Sequence, residues 1–213
     1  MSDTGPAIKI CGITTSAALA AAITARAHYA GFVFFAKSPR NLALADCGPL
    51  RDQAAGQIGR VGLFVDAGDD AMAEAIAAAG LDVLQLHGSE SPERVAQVKA
   101  RFGLPVWKAL PVAAPADVAR ADAYARIADL LLFDAKTPKG ALPGGMGLAF
   151  DWQLVKGFRA APWGLAGGLS PANVAEAVAV SGAPLVDCSS GVESAPGVKD
   201  PALIAAFCRA ARG

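Results

Sequence analysis

The segment Ile8-Lys9-Ile10-Cys11-Gly12-Ile13-Thr14 leads an apolar run straight into a lysine, a cysteine and a glycine. A thiol at the end of a first strand is well placed for chemistry, because its thiolate is a nucleophile and a base. Whether it acts depends on what the other apolar runs lead into. The second leads to Lys37-Ser38-Pro39-Arg40, the third to Asp66 and the fourth to Gln85-Leu86-His87-Gly88. The fifth carries Lys108, the sixth ends in Asp134 and the seventh in Gly167-Gly168. The eighth ends in Asp187-Cys188-Ser189-Ser190-Gly191. Titratable and small polar residues therefore follow the apolar runs, while the runs themselves are Val, Leu, Ile and Phe.

Those groups can meet only if the elements between them bring the run ends to one side. Strands are predicted over 7–10, 31–35, 60–65, 83–86, 105–110, 130–133, 163–166 and 185–187. They are short and apolar on both faces, as parallel strands covered by helices should be. Their starts recur about every 25 residues, roughly one βα unit each. Helices are predicted over 16–29, 69–79, 92–102, 171–180 and 201–212, with a weaker one over 46–55 and a short sixth after Asp151. Thr14, Thr15 or Ser16, then Ser91-Pro92, Ser170-Pro171 and Asp200-Pro201, supply caps and first-turn prolines. Alternation from end to end predicts a single-domain (β/α)8 TIM barrel spanning residues 1–213, with an open doubly wound sheet as the alternative. The Gly- and Pro-rich stretch over about 135–149 reads as a long active-site loop after strand six.

A barrel places its site at the C-terminal ends of the strands. The glycines at 167 and 168 and the Ser189-Ser190-Gly191 turn then lie at the seventh and eighth ends, where backbone N–H groups can hold a phosphate. A short extra helix is predicted to begin in Ser189–Glu193, with its N-terminus facing the anion. The Gly144-Gly145-Met146-Gly147 run does not follow a strand and is not read as dinucleotide binding.

Composition limits the remaining possibilities. The 19 basic residues equal the 19 acidic ones, so no nucleic-acid partner is expected. No apolar run approaches the ~20 residues of a membrane span, and Met1–Pro6 does not read as a signal peptide. The expected compartment is the cytoplasm. Four cysteines without CxxC spacing read as reduced thiols, and two separated histidines do not make a metal site. No metal or other cofactor is expected. Neutral charge and the lack of an evident interface patch favour a monomer over a homodimer.

The ordered set of Lys9–Thr14, Gly31-Phe32-Val33-Phe34, Ser38-Pro39-Arg40, Val61–Val65, Gln85–Gly88 and Phe133-Asp134 resembles the phosphoribosylanthranilate isomerase family. Phe150-Asp151-Trp152, Ala166–Leu169 and Ser189–Glu193 extend the resemblance over residues 8 to about 212. It implies an Amadori rearrangement of N-(5-phosphoribosyl)anthranilate to 1-(2-carboxyphenylamino)-1-deoxyribulose 5-phosphate, in tryptophan biosynthesis. On the family's motifs Cys11 is the general base and Asp134 the general acid. Arg40 is expected on the anthranilate carboxylate, and Gly167, Gly168, Ser189, Ser190 and Gly191 on the phosphate. Asp187 is expected near the sugar, and Lys9 is expected among the substrate-binding residues, as a neighbour of Cys11. His87 and Gln85 are expected to support the reacting groups by hydrogen bonding.

These roles make opposite demands. Cys11 should be held below the ordinary thiol value of about 8.5, with Lys9 on the same strand face as its neighbour. Asp134 should be held above about 3.9 by burial beside Phe133. Two positions depart from the family pattern: Met146 replaces a small hydroxyl residue, and Cys188 replaces an aliphatic one and is expected to pack. Competing readings are another phosphosugar barrel, an isomerase that also accepts the histidine-pathway aminoaldose, and a non-catalytic phospho-ligand binder.

Overall fold

The computed structural model describes residues 5–136 and 149–213. Eight parallel strands close into a barrel in sequence order. They are β1 (Ala7–Cys11), β2 (Tyr29–Phe34), β3 (Gly59–Phe64), β4 (Val83–Leu86), β5 (Val106–Val112), β6 (Leu130–Ala135), β7 (Trp163–Leu165) and β8 (Leu185–Cys188). The predicted (β/α)8 barrel is thus the observed architecture. The helices are α1 (Ser16–Thr24), α2 (Cys47–Ala54), α3 (Asp69–Ala79), α4 (Pro92–Phe102), α5 (Pro115–Ala119), α6 (Val174–Ser181) and α7 (Pro201–Arg212). The predicted loop over about 135–149 falls largely outside the described residues, as do Met146 and its neighbouring glycines.

Period-two alternation sorts each strand into two faces. Ile8 and Ile10 of β1 join the main core between strands and helices. Lys9 and Cys11 face the other way, into the barrel, where Cys11 packs on Val33 and Leu63. Below them Val61, Val83, Trp107, Ala109, Leu132, Ala166 and Leu185 fill the interior. Lys9 and Cys11 of β1, Gln85 of β4, Asp134 of β6 and Asp187 of β8 thereby share the inner face of the barrel.

Several boundaries differ from expectation for local reasons. The first helix stops at Thr24 rather than 29, because Arg26 turns the chain left-handed with φ 55°. The sixth begins at Val174 rather than 171. Asn173 accounts for the delay: its Oδ1 accepts from Ser170 N at 2.8 Å and its Nδ2 donates to Gly168 O at 2.9 Å. The segment after Asp151 is a single 3-10 turn, Trp152–Val155. The extra helix predicted in Ser189–Glu193 is instead a three-residue 3-10 turn, Ser190–Val192, running into the hairpin β9 (Glu193–Ala195) and β10 (Val198–Lys199). The cap predictions at Thr15, Ser91 and Asp200 match, each side chain accepting from an amide in the first turn.

A second buried charge pair shapes the rim. Lys108 points outward from β5 and donates to Glu90 Oε2 at 2.9 Å and to Gly88 O at 2.7 Å. Glu90 Oε1 accepts in turn from the amides of Asp66 and Gly88, so one carboxylate ties the β3 and β4 loops to β5. Removing one partner of a buried pair strands the other charge. Glu90→Ala is therefore expected to cost about 3–5 kcal/mol of stability, measured by urea unfolding. The apolar pair Lys108→Met with Glu90→Leu is expected to lose less than the single change.

Candidate active site

The seam that closes the barrel sets the first part of the site. Lys9 of β1 lies in register with Asp187 of β8, and Nζ sits 2.7 Å from Oδ2. Lys9 is fully buried. Burial alone would drain its charge, but Asp187 and then Cys11 hold its pKa above the ordinary value. Asp187 Oδ1 is buried and has no hydrogen-bond partner among the described residues. Gly31 on β2 makes room for this cluster, since a Cβ there would sit 3.0 Å from Cys11 Sγ.

Cys11 is 5% exposed. The expectation of a depressed thiol does not hold in this site. Burial pushes the thiol up, and the opposing pull of Lys9 and Lys199 does not cancel it. The chief physical reason is that burial; the seam adds to it, because the ammonium predicted to serve the sulfur is shared with Asp187, whose negative charge also raises the thiol. The other cysteines pack, as expected for Cys188, whose Sγ donates to Leu169 O at 3.1 Å and whose thiol burial pushes up.

Gly12, with φ 83°, carries the chain away from Cys11 and lets Arg40 lie over it. A Cβ at Gly12 would meet Arg40 Cδ at 2.7 Å. The Arg40 side chain is 11% exposed, and its guanidinium is gripped edge-on by Glu193, Nε to Oε1 and Nη2 to Oε2, both at 2.7 Å. Glu193 in turn accepts from Lys199 Nζ at 2.6 Å. Burial would raise the Glu193 carboxyl, but the bonds from Arg40 and Lys199 hold it below its ordinary value.

At the end of β6, Asp134 is 7% exposed. Its Oδ1 accepts from Ala135 N at 2.8 Å, and its Oδ2 lies 3.0 Å from His87 Nε2. His87 Nδ1 is 3.0 Å from the buried Gln85 amide nitrogen. Gln85 and His87 thus form a chain of polar contacts that ends on Asp134. Gly167, with φ 83°, passes close to this carboxylate, and a Cβ there would sit 2.9 Å from Oδ1. A cavity of ≈ 340 Å³ opens beside Asp134 and His87, with Asp66, Lys108, Arg120 and Tyr124 also in its wall.

The β7 and β8 loops meet: a Cβ at Gly191 would collide with the Leu169 carbonyl. Asn173 clamps the Gly168 side of this pair. Ser189 Oγ donates to Cys11 O at 3.1 Å, and Lys199 donates to Ser189 O at 3.0 Å, tying the eighth strand end to the first. Nowhere among the described residues do three or more His, Cys, Asp or Glu side chains converge as a metal site would require.

Sequence reasoning missed Glu193, Lys199 and Asn173 as organisers of the site. Glu193 carried a signal, an acid directly after the Ser-Ser-Gly-Val turn. Lys199 carried none, since only the hairpin folds it back under the loop.

Comparison with known proteins agrees with this geometry. Residues 8–210 match the family model described as N-(5'phosphoribosyl)anthranilate (PRA) isomerase. A relative named N-(5'-phosphoribosyl)anthranilate isomerase, from Mesorhizobium japonicum, is 54% identical over 207 residues, covering 96% of this chain and 94% of its own. The crystal structure of phosphoribosyl anthranilate isomerase from Thermotoga maritima superposes with a TM-score of 0.87 at 34% identity, covering 98% of this chain and 99% of that one. A further structure of such an isomerase, in complex with reduced 1-(o-carboxyphenylamino)-1-deoxyribulose 5-phosphate, has a TM-score of 0.85 at 32% identity, with coverages of 98% and 99%. With its eight-stranded barrel, its strand-end residues and this near full-length likeness, the chain belongs to the N-(5'-phosphoribosyl)anthranilate isomerase family.

Proposed function

We propose that this chain converts N-(5-phosphoribosyl)anthranilate to 1-(2-carboxyphenylamino)-1-deoxyribulose 5-phosphate by an Amadori rearrangement, with Cys11 as base and Asp134 as acid. The observation that carries the reading is the mouth of the barrel itself. A buried thiol beside a lysine and a carboxyl backed by an imidazole share that rim, and the Arg40 side chain crosses Gly12, the residue after the thiol. Protonation of the furanose oxygen by Asp134 opens the ring and leaves an iminium at C1′. Cys11 then removes the C2′ hydrogen, and the enolamine tautomerises to the ketone. The iminium is the electron sink, so the chemistry itself calls for no metal or redox group.

The remaining roles follow from charge and shape. Arg40 recognises the flat ortho-carboxylate of anthranilate by the bidentate geometry that suits a guanidinium. The loops at Gly167, Gly168, Ser190 and Gly191 hold the phosphate, with Ser189 anchoring their base. Asp187 Oδ1, buried and without a partner among the described residues, accepts from a sugar hydroxyl. Lys9 is neutralised by Asp187, so the net positive charge beside the substrate comes from Arg40 and Lys199 against one Glu193. That excess suits a substrate with two anionic ends.

The test is the loss of anthranilate fluorescence from freshly made phosphoribosylanthranilate. Cys11→Ala and Asp134→Ala are each expected to reduce kcat by about 10²–10⁴-fold. Wild-type turnover no faster than that of both variants would sink the reading.

The raised thiol gives this proposal a pH signature. The base is the thiolate, and its fraction in the free enzyme grows only as pH passes the ordinary value of about 8.5 and beyond, because burial has moved the pKa upward. The pH dependence of kcat/KM reports the free enzyme. It is therefore expected to keep rising past about pH 8.5, with alkylation of Cys11 by iodoacetamide rising in parallel. In the complex the substrate iminium adds a positive charge beside the sulfur, so the kcat profile is expected to level off at lower pH. A kcat/KM profile already flat from pH 7 would contradict Cys11 as the base in this setting.

A further inference from the structure

Arg40 does not hold itself in place. Its side chain crosses Gly12 and ends against a carboxylate that belongs to the protein. That carboxylate takes two guanidinium donors on one edge, Nε and Nη2, each at 2.7 Å. A planar fork gripped at two points loses both its translation and its rotation about the side-chain axis. Glu193 is itself pinned, by Lys199 Nζ at 2.6 Å and by Gly197 N at 3.2 Å. Glu193 and Lys199 are 5% and 1% exposed at the side chain, so solvent competes little for either bond. The turn of the β9–β10 hairpin reaches the β2 loop, where Gly197, at φ 82°, packs on the Pro39 carbonyl. The segment after β8 is thus folded back to bring an acid under Arg40.

We infer that Glu193 is a positioning residue: pinned by Lys199, its carboxylate sets the plane and place of the Arg40 guanidinium so that the substrate carboxylate is gripped beside Cys11. The inference rests on the reading of Arg40 as the carboxylate-binding residue. Glu193 touches no reacting atom and acts only through Arg40. A mere strut between loops would do something different: its loss would loosen the phosphate loops and the carboxylate grip together.

A double-mutant cycle separates these cases. In the purified enzyme, Glu193→Gln is expected to raise KM for phosphoribosylanthranilate by about tenfold, with kcat changed by less than about threefold, the order of one misaligned charge-assisted bond. Competitive inhibition by inorganic phosphate is expected to stay within about twofold, because the Lys199 to Ser189 bonds do not involve Glu193. In an Arg40→Ala background the same change is expected to raise KM no further. Glu193→Asp keeps the charge and is expected to restore part of the affinity. It also carries the test should Glu193→Gln fail to fold, as judged by circular dichroism. Additive effects of Arg40→Ala and Glu193→Gln, or equal weakening of phosphate and substrate, would overturn the inference while leaving Arg40's role intact. An unchanged KM in Arg40→Ala alone would instead overturn the reading of Arg40, and this inference with it.

Discussion

A fully buried lysine at the closing seam of a barrel needs a carboxylate beside it, and much else in this structure follows from that. Lys9 and Asp187 are register partners across β1 and β8, and their ion pair is 2.7 Å long. A slip of β1 by one residue would turn Lys9 to the helix side, where Ile8 and Ile10 now pack, and leave Asp187 without it. The pair therefore marks the one register that closes the ring with its polar groups inside. It also sets the electrostatics of the thiol two residues further on, because the ammonium nearest Cys11 already has an anion.

The same device recurs around the rim. Lys108 with Glu90, and Arg40 and Lys199 with Glu193, are buried or nearly buried pairs that join a strand end to a neighbouring loop. Such pairs contribute little net stability, since desolvation of both charges offsets most of their attraction. Their effect is placement. A carboxylate that satisfies several donors at once holds two or three loops in one arrangement, and breaking any one contact leaves a costly orphan. Catalytic loops on a barrel carry little core of their own, and in this chain buried ions replace that core.

The proposed acid and base sit in contrasting surroundings. Cys11 is enclosed by Val33, Leu63 and the Lys9–Asp187 pair, and its thiol is held neutral by burial. Asp134 is backed by a chain of hydrogen bonds through His87 to Gln85. On the proposed mechanism, a cationic iminium formed beside the sulfur would stabilise the thiolate when the proton has to move.

Much of this was legible in the residue order. Alternating apolar runs and capped helices were enough for the barrel, and the run ends named Cys11, Asp134, Arg40, Asp187 and the glycine loops. Those features are local: a strand's period, a helix cap and a turn glycine depend on neighbours in the chain. Three things were not legible. The thiol's direction of shift depends first on its burial by the closed barrel, with Asp187, 176 residues away in sequence, adding to it. The hairpin after β8 replaced an expected helix because Glu193 is drawn inward by Arg40 and Lys199. The clamp of Asn173 on Gly168 delayed a helix that Ser170-Pro171 was expected to start. The sequence by itself thus determined the fold and which side chains reach the mouth of the barrel. Only the tertiary structure decided which charges neutralise one another there, because that depends on which strand ends become neighbours when the ring closes and on how deeply each charge is removed from water.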